Sequence, residues 1–236
     1  MLVLPHIAKD DTLFVDVALD TVRSSRTLTS LTIMALRGLT LAAKFALTLF
    51  LAKFVGLDTL GVYGLIAGAA VIFPTVAGLG LIRVLSRNAV TQPLDEVTRV
   101  LRLYWGVQGA IYGLISVIGL GIGVYLQEVT LVSIVLVIVF IEHVNGDLFI
   151  LLNHLLRPLL ANVLAFFRTA AWICVYMVFA FLFPSLRSLH ILLLFWIGGG
   201  FLAIAGFAAL AWDWPWLSSA SEGGHREWFL HHFKAS

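Results

Sequence analysis

Six long apolar runs, separated by short polar breaks, occupy most of the chain. They cover 31–55, 61–85, 103–126, 129–155, 157–183 and 189–212, each meeting the ~20 residues that a helix needs to cross a bilayer. The pattern predicts an all-α integral membrane protein, a six-transmembrane-helix bundle over 31–212. Residues 1–30 read differently, because Asp10, Asp11, Asp16 and Asp20 interrupt any apolar core and no basic stretch leads into an apolar one. That is neither a signal peptide nor a span, and a cytoplasmic, partly amphipathic lead-in is expected. Residues 213–236 are polar and read as a cytoplasmic tail.

Smaller signals punctuate the runs. Pro74 falls inside the second and predicts a kink. Gly64 and Gly68 in the second run, and Gly106, Gly109, Gly113 and Ser116 in the third, make small-residue faces on which helices pack closely. SRNAVTQPLDEVTR, between these runs, reads as a loop. Pro158 suits the first turn of the fifth helix. Trp212, Trp214 and Trp216 cluster where an interfacial aromatic belt belongs, and Tyr104, Trp105, Trp172 and Trp196 read as interfacial or packing rings.

Composition agrees: 61% of the chain is hydrophobic and 12% charged, against about 45–50% and about 25% in a soluble domain. The net charge of +2 says little, because the placement of the charges matters more than their sum, and no nucleic-acid partner is expected. Cys174 is the sole cysteine, so no intrachain disulfide or cysteine-based metal cluster is expected, and its side chain reads as a small buried apolar group. If the N-terminus lies inside, Lys9, Arg23, Arg26, Arg83, Arg87, Arg99, Arg102, Arg157, Arg226 and Lys234 are cytoplasmic, and only Lys53 and Arg187 lie in outer loops. That bias predicts both termini inside.

Ionisable residues within the spans carry the candidate chemistry. In the first span Arg37, Thr40, Lys44 and Thr48 fall within about 80° of one another at 100° per residue, a cationic stripe on an apolar helix. Arg37 is close enough to the span's start to snorkel to the headgroups. Lys44 is roughly 20 Å in, and an intramembrane charge at that depth points to a cavity or a partner. Glu142 lies thirteen residues before Leu155, the apex of the hairpin between the fourth and fifth spans, and Arg168 thirteen after it. Equal rise puts the two at one depth, where a salt bridge would offset the burial of both. It would either fix the register of the hairpin or serve in coupling.

His143, Asp147 and His154 share about 40° of the fourth span, a pattern open to a metal or a proton relay. Over eleven residues a straight helix rises ~16 Å, too far for one ion to reach both histidines. No metal or cofactor is expected, and these residues read as polar groups at the cytoplasmic headgroups. His225, His231 and His232 read as solvated.

The run AKFVGLDTLGVYGLIAGAAVIFPTVAGLGLIRVLSRNAV resembles the polysaccharide flippases and exporters of the multidrug/oligosaccharidyl-lipid/polysaccharide superfamily, through Lys53, Gly56, Gly61, Tyr63, Gly78, Gly80, Leu81 and Arg83. Asn153–Arg157 and Ala161–Asn162, ahead of Arg168 and Trp172, are similar to the corresponding hairpin. The resemblance implies a carrier of polyprenyl-diphosphate-linked oligosaccharide in a bacterial inner membrane, as in O-antigen or lipopolysaccharide biosynthesis. Two six-helix lobes would face each other across a cavity, and basic side chains there would attract the diphosphate. This chain would supply one lobe, with 213–236 as tail or linker, and would need a second six-helix lobe or a homodimer partner. Arg37 and Lys44, with Thr40 and Thr48, fit the cavity wall, and no catalysis is expected. The alternatives are an integral-membrane enzyme of envelope lipid or glycan metabolism, for which only Glu142 and Asp147 offer clustered acids, and a non-transporting assembly subunit or fragment.

The charge bias sets a topology test. Reporter fusions after Trp212 are expected to report the cytoplasm, and fusions after Leu126 the opposite side. A cytoplasmic signal at Leu126 would break the span assignment.

Overall fold

A backbone in hydrocarbon has no water to bond to, and an α-helix satisfies its N–H and C=O groups internally. The structure is a computed structural model describing residues 9–78, 80–89 and 92–214, and these form helices with no strand among them. In chain order they are α1 (Lys9–Phe54), α2 (Leu57–Ala77), α3 (Leu81–Ala89), α4 (Leu94–Leu126), α5 (Val129–His154), α6 (Pro158–Phe166), a π-helical turn (Phe167–Ala171), α7 (Trp172–Leu182), a 3₁₀ turn (Pro184–Leu186) and α8 (Leu189–Leu210). Six stretches are long and apolar enough to cross a membrane: Thr27–Phe54, Leu57–Ala77, Asp95–Leu126, Val129–His154, Pro158–Leu182 and Leu189–Leu210. This is a six-helix bundle of a multi-pass membrane protein.

Boundaries depart from the sequence reading in three places. The lead-in joins the first span in one unbroken helix, since α1 runs from Lys9 through Ser30 to Phe54; residues 1–8 lie outside the described residues. The second run is two helices. With Pro74 inside it, α2 ends at Ala77, and the chain turns through Gly80, whose φ of +69° favours glycine, before α3 begins. The polar segment read as a loop is mostly helical, because α3 reaches Ala89 and α4 starts at Leu94 behind Pro93. Asp95 and Glu96 in the first turn of α4 complement its dipole, and Glu96 pairs with Arg99. The tail read over 213–236 lies outside the described residues from 215 on, with Trp216 and the tail histidines.

The central helix is α5, packed against α2, α3, α4, α6 and α8. More than half of it is buried, against about a tenth of α2 or α4. Outside, Leu41, Leu65, Val71 and Val117 are each at least 70% exposed, an apolar surface suited to lipid. Inside, Gln108, Glu142, His143, Asn145 and Asp147 are buried. Along α5 one apolar cluster includes Ile138 and a second begins at Val144, and Glu142 and His143 lie between.

Close packing comes from different glycines than expected. Gly64, Gly68, Gly106, Gly109 and Gly113 have open space where a side chain would go. On α8, by contrast, a Cβ at Gly199 would lie 2.5 Å from Trp172 Cδ1, one at Gly206 2.9 Å from Leu164, and one at Gly200 would overlap Ile141. Those absent side chains let α8 approach α5 closely enough for Asn145 Nδ2 to donate to Gly200 O at 3.1 Å. Cys174, expected to be buried, is exposed on the outside of the bundle. Trp212 is exposed, whereas Trp214 packs edge-on against Phe207.

The contrast between glycines is testable by thermal unfolding of purified protein in detergent. Gly199→Ala and Gly200→Ala should each destabilise the bundle, by about 1–3 kcal/mol. Gly64→Ala and Gly68→Ala should leave the transition unchanged.

Candidate functional site: buried charges on the central helix

The α5 segment IEHVNGD turns polar residues to two faces. At 100° per residue, Glu142 and Asn145 point one way and His143 and Asp147 another. The first face meets the π-helical turn and α8. Arg168 Nε donates to Glu142 Oε2 at 2.7 Å, a second guanidinium nitrogen lies 2.6 Å from the same oxygen, and Trp196 Nε1 donates to Oε1 at 2.8 Å. Both carboxylate oxygens are therefore engaged. The Glu142 side chain is 8% exposed and that of Arg168 22%, so the acid is the more deeply buried partner.

The π-helical turn carries Arg168, and π-bulges recur at functional sites. Within it the Arg168 carbonyl accepts from Trp172 Nε1 at 2.9 Å. The Trp172 ring stacks on Trp196 with centroids 5.8 Å apart and planes within 8°. The two indoles thus hold both ends of the ion pair, one through a main-chain carbonyl and one through the carboxylate. They are buried packing rings, Trp196 on α8 and Trp172 at the start of α7.

The second face meets α4. Tyr112 Oη lies 2.9 Å from His143 Nδ1, Tyr104 Oη donates to Asp147 Oδ2 at 2.6 Å, and His143 Nε2 lies 3.1 Å from Asp147 Oδ2 and 3.2 Å from Tyr104 Oη. His143 is 2% exposed. The expectation that His143 and Asp147 sit at the headgroups is corrected: they lie inside the bundle, because α4 covers that side of α5. Tyr104 is a member of this network as well as a packing ring. His154 is separate, its Nδ1 3.2 Å from Ser86 Oγ of α3.

A signal for this second cluster was present. Tyr104, Gln108 and Tyr112, spaced by four, share one face of α4. Tyr112 is also fifteen residues before Gln127, and His143 fifteen after Glu128, the two residues of the turn between the helices. The depth arithmetic that pairs Glu142 with Arg168 applies equally here.

The α1 stripe lies on the outside of the bundle. Arg37, Lys44 and Thr48 are exposed and Thr40 is half-buried. Arg37 Nε donates to Asn162 Oδ1 of α6 at 3.0 Å, and Asn162 in turn donates to Pro158 O at 2.7 Å. The side-chain ammonium of Lys44 has no hydrogen-bond or ion-pair partner among the described residues. The hydroxyls of Thr40 and Thr48 donate to the carbonyls of Leu36 and Lys44. The structure thus brings Glu142 to Arg168 but leaves the stripe apart from both buried clusters.

Removing one member of the ion pair strands the other, at a cost of roughly 3 kcal/mol. Arg168→Gln should lower folded yield in membranes more than Glu142→Gln, because it abandons the more buried charge. The exchange Glu142→Arg with Arg168→Glu should restore part of the loss, since arginine at 142 cannot accept from Trp196. Purely additive losses across that cycle, scored by size-exclusion yield, would mean that the two side chains do not interact.

No protein-family model, curated protein or solved structure matches the chain. Its own residues establish a multi-pass membrane protein of six apolar helices, with paired and hydrogen-bonded ionisable groups at its centre.

Proposed function

We propose that this chain is one lobe of a transporter that moves polyprenyl-diphosphate-linked oligosaccharide across a bacterial inner membrane by alternating access, with both termini cytoplasmic and no chemistry catalysed. The observation that carries the reading is Lys44: a cation exposed on the bundle's outer surface at mid-span, with no partner among the described residues. Depth follows from the contact of Arg37 with Asn162, which is four residues, ~6 Å, past the start of α6. Lys44 is seven residues beyond Arg37, a further ~10 Å. That is close to the depth of Glu142, thirteen residues or ~20 Å from the same end.

A solitary ammonium at that depth is costly against lipid tails and favourable against a diphosphate or a water-filled cavity. The family resemblance in 52–90 supports the same assignment. Arg37, held by Asn162 nearer the interface, receives the diphosphate first, and Lys44 holds it deeper in.

Binding of undecaprenyl diphosphate to purified protein, followed by native mass spectrometry, tests the cationic wall. Lys44→Gln should weaken binding about tenfold or more, as loss of a charge-assisted contact does. Lys44→Arg should stay within about twofold, and Arg37→Gln should fall between. Co-expressed with a second lobe in a flippase-deficient strain, Lys44→Gln should abolish surface polysaccharide. Wild-type binding and polysaccharide from the Arg37→Gln, Lys44→Gln double variant would overturn the assignment.

A further inference from the structure

The contacts between α4 and α5 fix two of the hydrogens in this network. Tyr104 has one hydroxyl hydrogen, and the 2.6 Å contact commits it to Asp147 Oδ2. A carboxylate only accepts, so His143 Nε2, 3.1 Å from that same oxygen, carries a hydrogen. In a neutral ring Nδ1 then has none and accepts from Tyr112 Oη at 2.9 Å. Each contact is satisfied in this state, and the cluster bears one net negative charge, on Asp147.

One group beside it is unsatisfied. Both amide atoms of Gln108 are buried without a hydrogen-bond partner among the described residues, and the residue is 1% exposed. Gln108 lies one helical turn from both Tyr104 and Tyr112 on their shared face of α4. Its amide lies beside the Tyr104 hydroxyl but outside hydrogen-bonding geometry.

We propose that Tyr112, His143, Asp147 and Tyr104 form a binding site for one proton in the core of the bundle, with Gln108 as the acceptor that completes its protonated state. The proton comes from solution and binds His143 Nδ1. The new Nδ1–H donates to Tyr112 Oη, the Tyr112 hydrogen turns away from the imidazole toward Gln108 Oε1, and Nε2–H stays on Asp147. The cluster passes from one negative charge to a neutral imidazolium–carboxylate pair, the favourable direction in a low-dielectric interior. No bond other than N–H forms.

The other two ionisable groups of α5 itself are occupied elsewhere. Glu142 is held by Arg168 and Trp196, and His154 lies against Ser86 of α3. Tyr63 of α2 packs on Trp196, on the Glu142 side. Where α2 ends, a Cβ at Gly78 would lie 3.1 Å from His143 Cε1, so the ring also abuts the break between α2 and α3. The state of one imidazole therefore bears on the contacts of three helices.

The experiment is a pH titration of the full chain in nanodiscs with ¹⁵N-labelled histidine, from pH 9 to pH 4. One imidazole of the seven, the one whose signal disappears in His143→Gln, should change from the Nε2–H tautomer to the doubly protonated ring. Asp147→Asn should abolish that change within the range. Gln108→Leu, which removes no charge, should move the midpoint toward acid by about 0.5–1 pH unit, the worth of one hydrogen bond. Should His143→Gln fail to fold, the signal is assigned by its displacement in Tyr112→Phe. A His143 ring that keeps one protonation state throughout would overturn the proposal, as would an unmoved midpoint in Gln108→Leu. So would a midpoint that follows sodium concentration, which would mark a metal-cation site.

Discussion

A carboxylate in the middle of a bilayer-spanning bundle has to be paired, and Glu142 organises its surroundings accordingly. Two oxygens at the centre of α5 require donors, and they receive them from the guanidinium of the π-helical turn and the indole of α8. Three of the six spans are thereby placed in depth and rotation by one side chain. Hydrophobic burial cannot do this, because a lipid tail is as apolar as a leucine and gives helices little reason to prefer one another. Directional polar contacts and close approach remain, and both meet on α5.

Close approach is the task of α8. Gly199 and Gly200 carry no side chain where Trp172 and Ile141 press against the helix, and the main chain comes near enough for Asn145 to reach Gly200 O. The stacked indoles follow from the same proximity. The bundle is therefore polar and tightly packed at its centre and apolar on its surface, the reverse of a soluble protein. Two of its surface cations, Arg37 and Lys44, differ in kind: the side chain of one is tethered to Asn162, and that of the other is not tethered to any described residue.

The two buried clusters are neighbours on one helix yet chemically distinct. Glu142 meets a permanent cation, so its face holds a fixed charge pair. His143 meets two phenols and a carboxylate, so its face is a hydrogen-bonded network without a permanent cation.

Much of this was legible in the chain. Hydrophobicity and helical rise are local properties, so the six spans, the phase of the α1 stripe, and the common depth of Glu142 and Arg168 follow from counting residues. Counting does not reveal how a helix is rotated toward its neighbours. The glycines of α2 and α4 matched a packing motif yet face open space, while those of α8 carry the contacts. His143 and Asp147 read as headgroup residues until α4 turned Tyr104 and Tyr112 onto them. The break at Gly78–Gly80 looked like continuous span because its residues are as apolar as their neighbours. Sequence alone determined which segments are long and apolar enough to enter a membrane, and that Glu142 and Arg168 share one depth, because rise per residue is constant. Tertiary structure decided which charges meet, because that depends on rotations and approach distances set jointly by several helices.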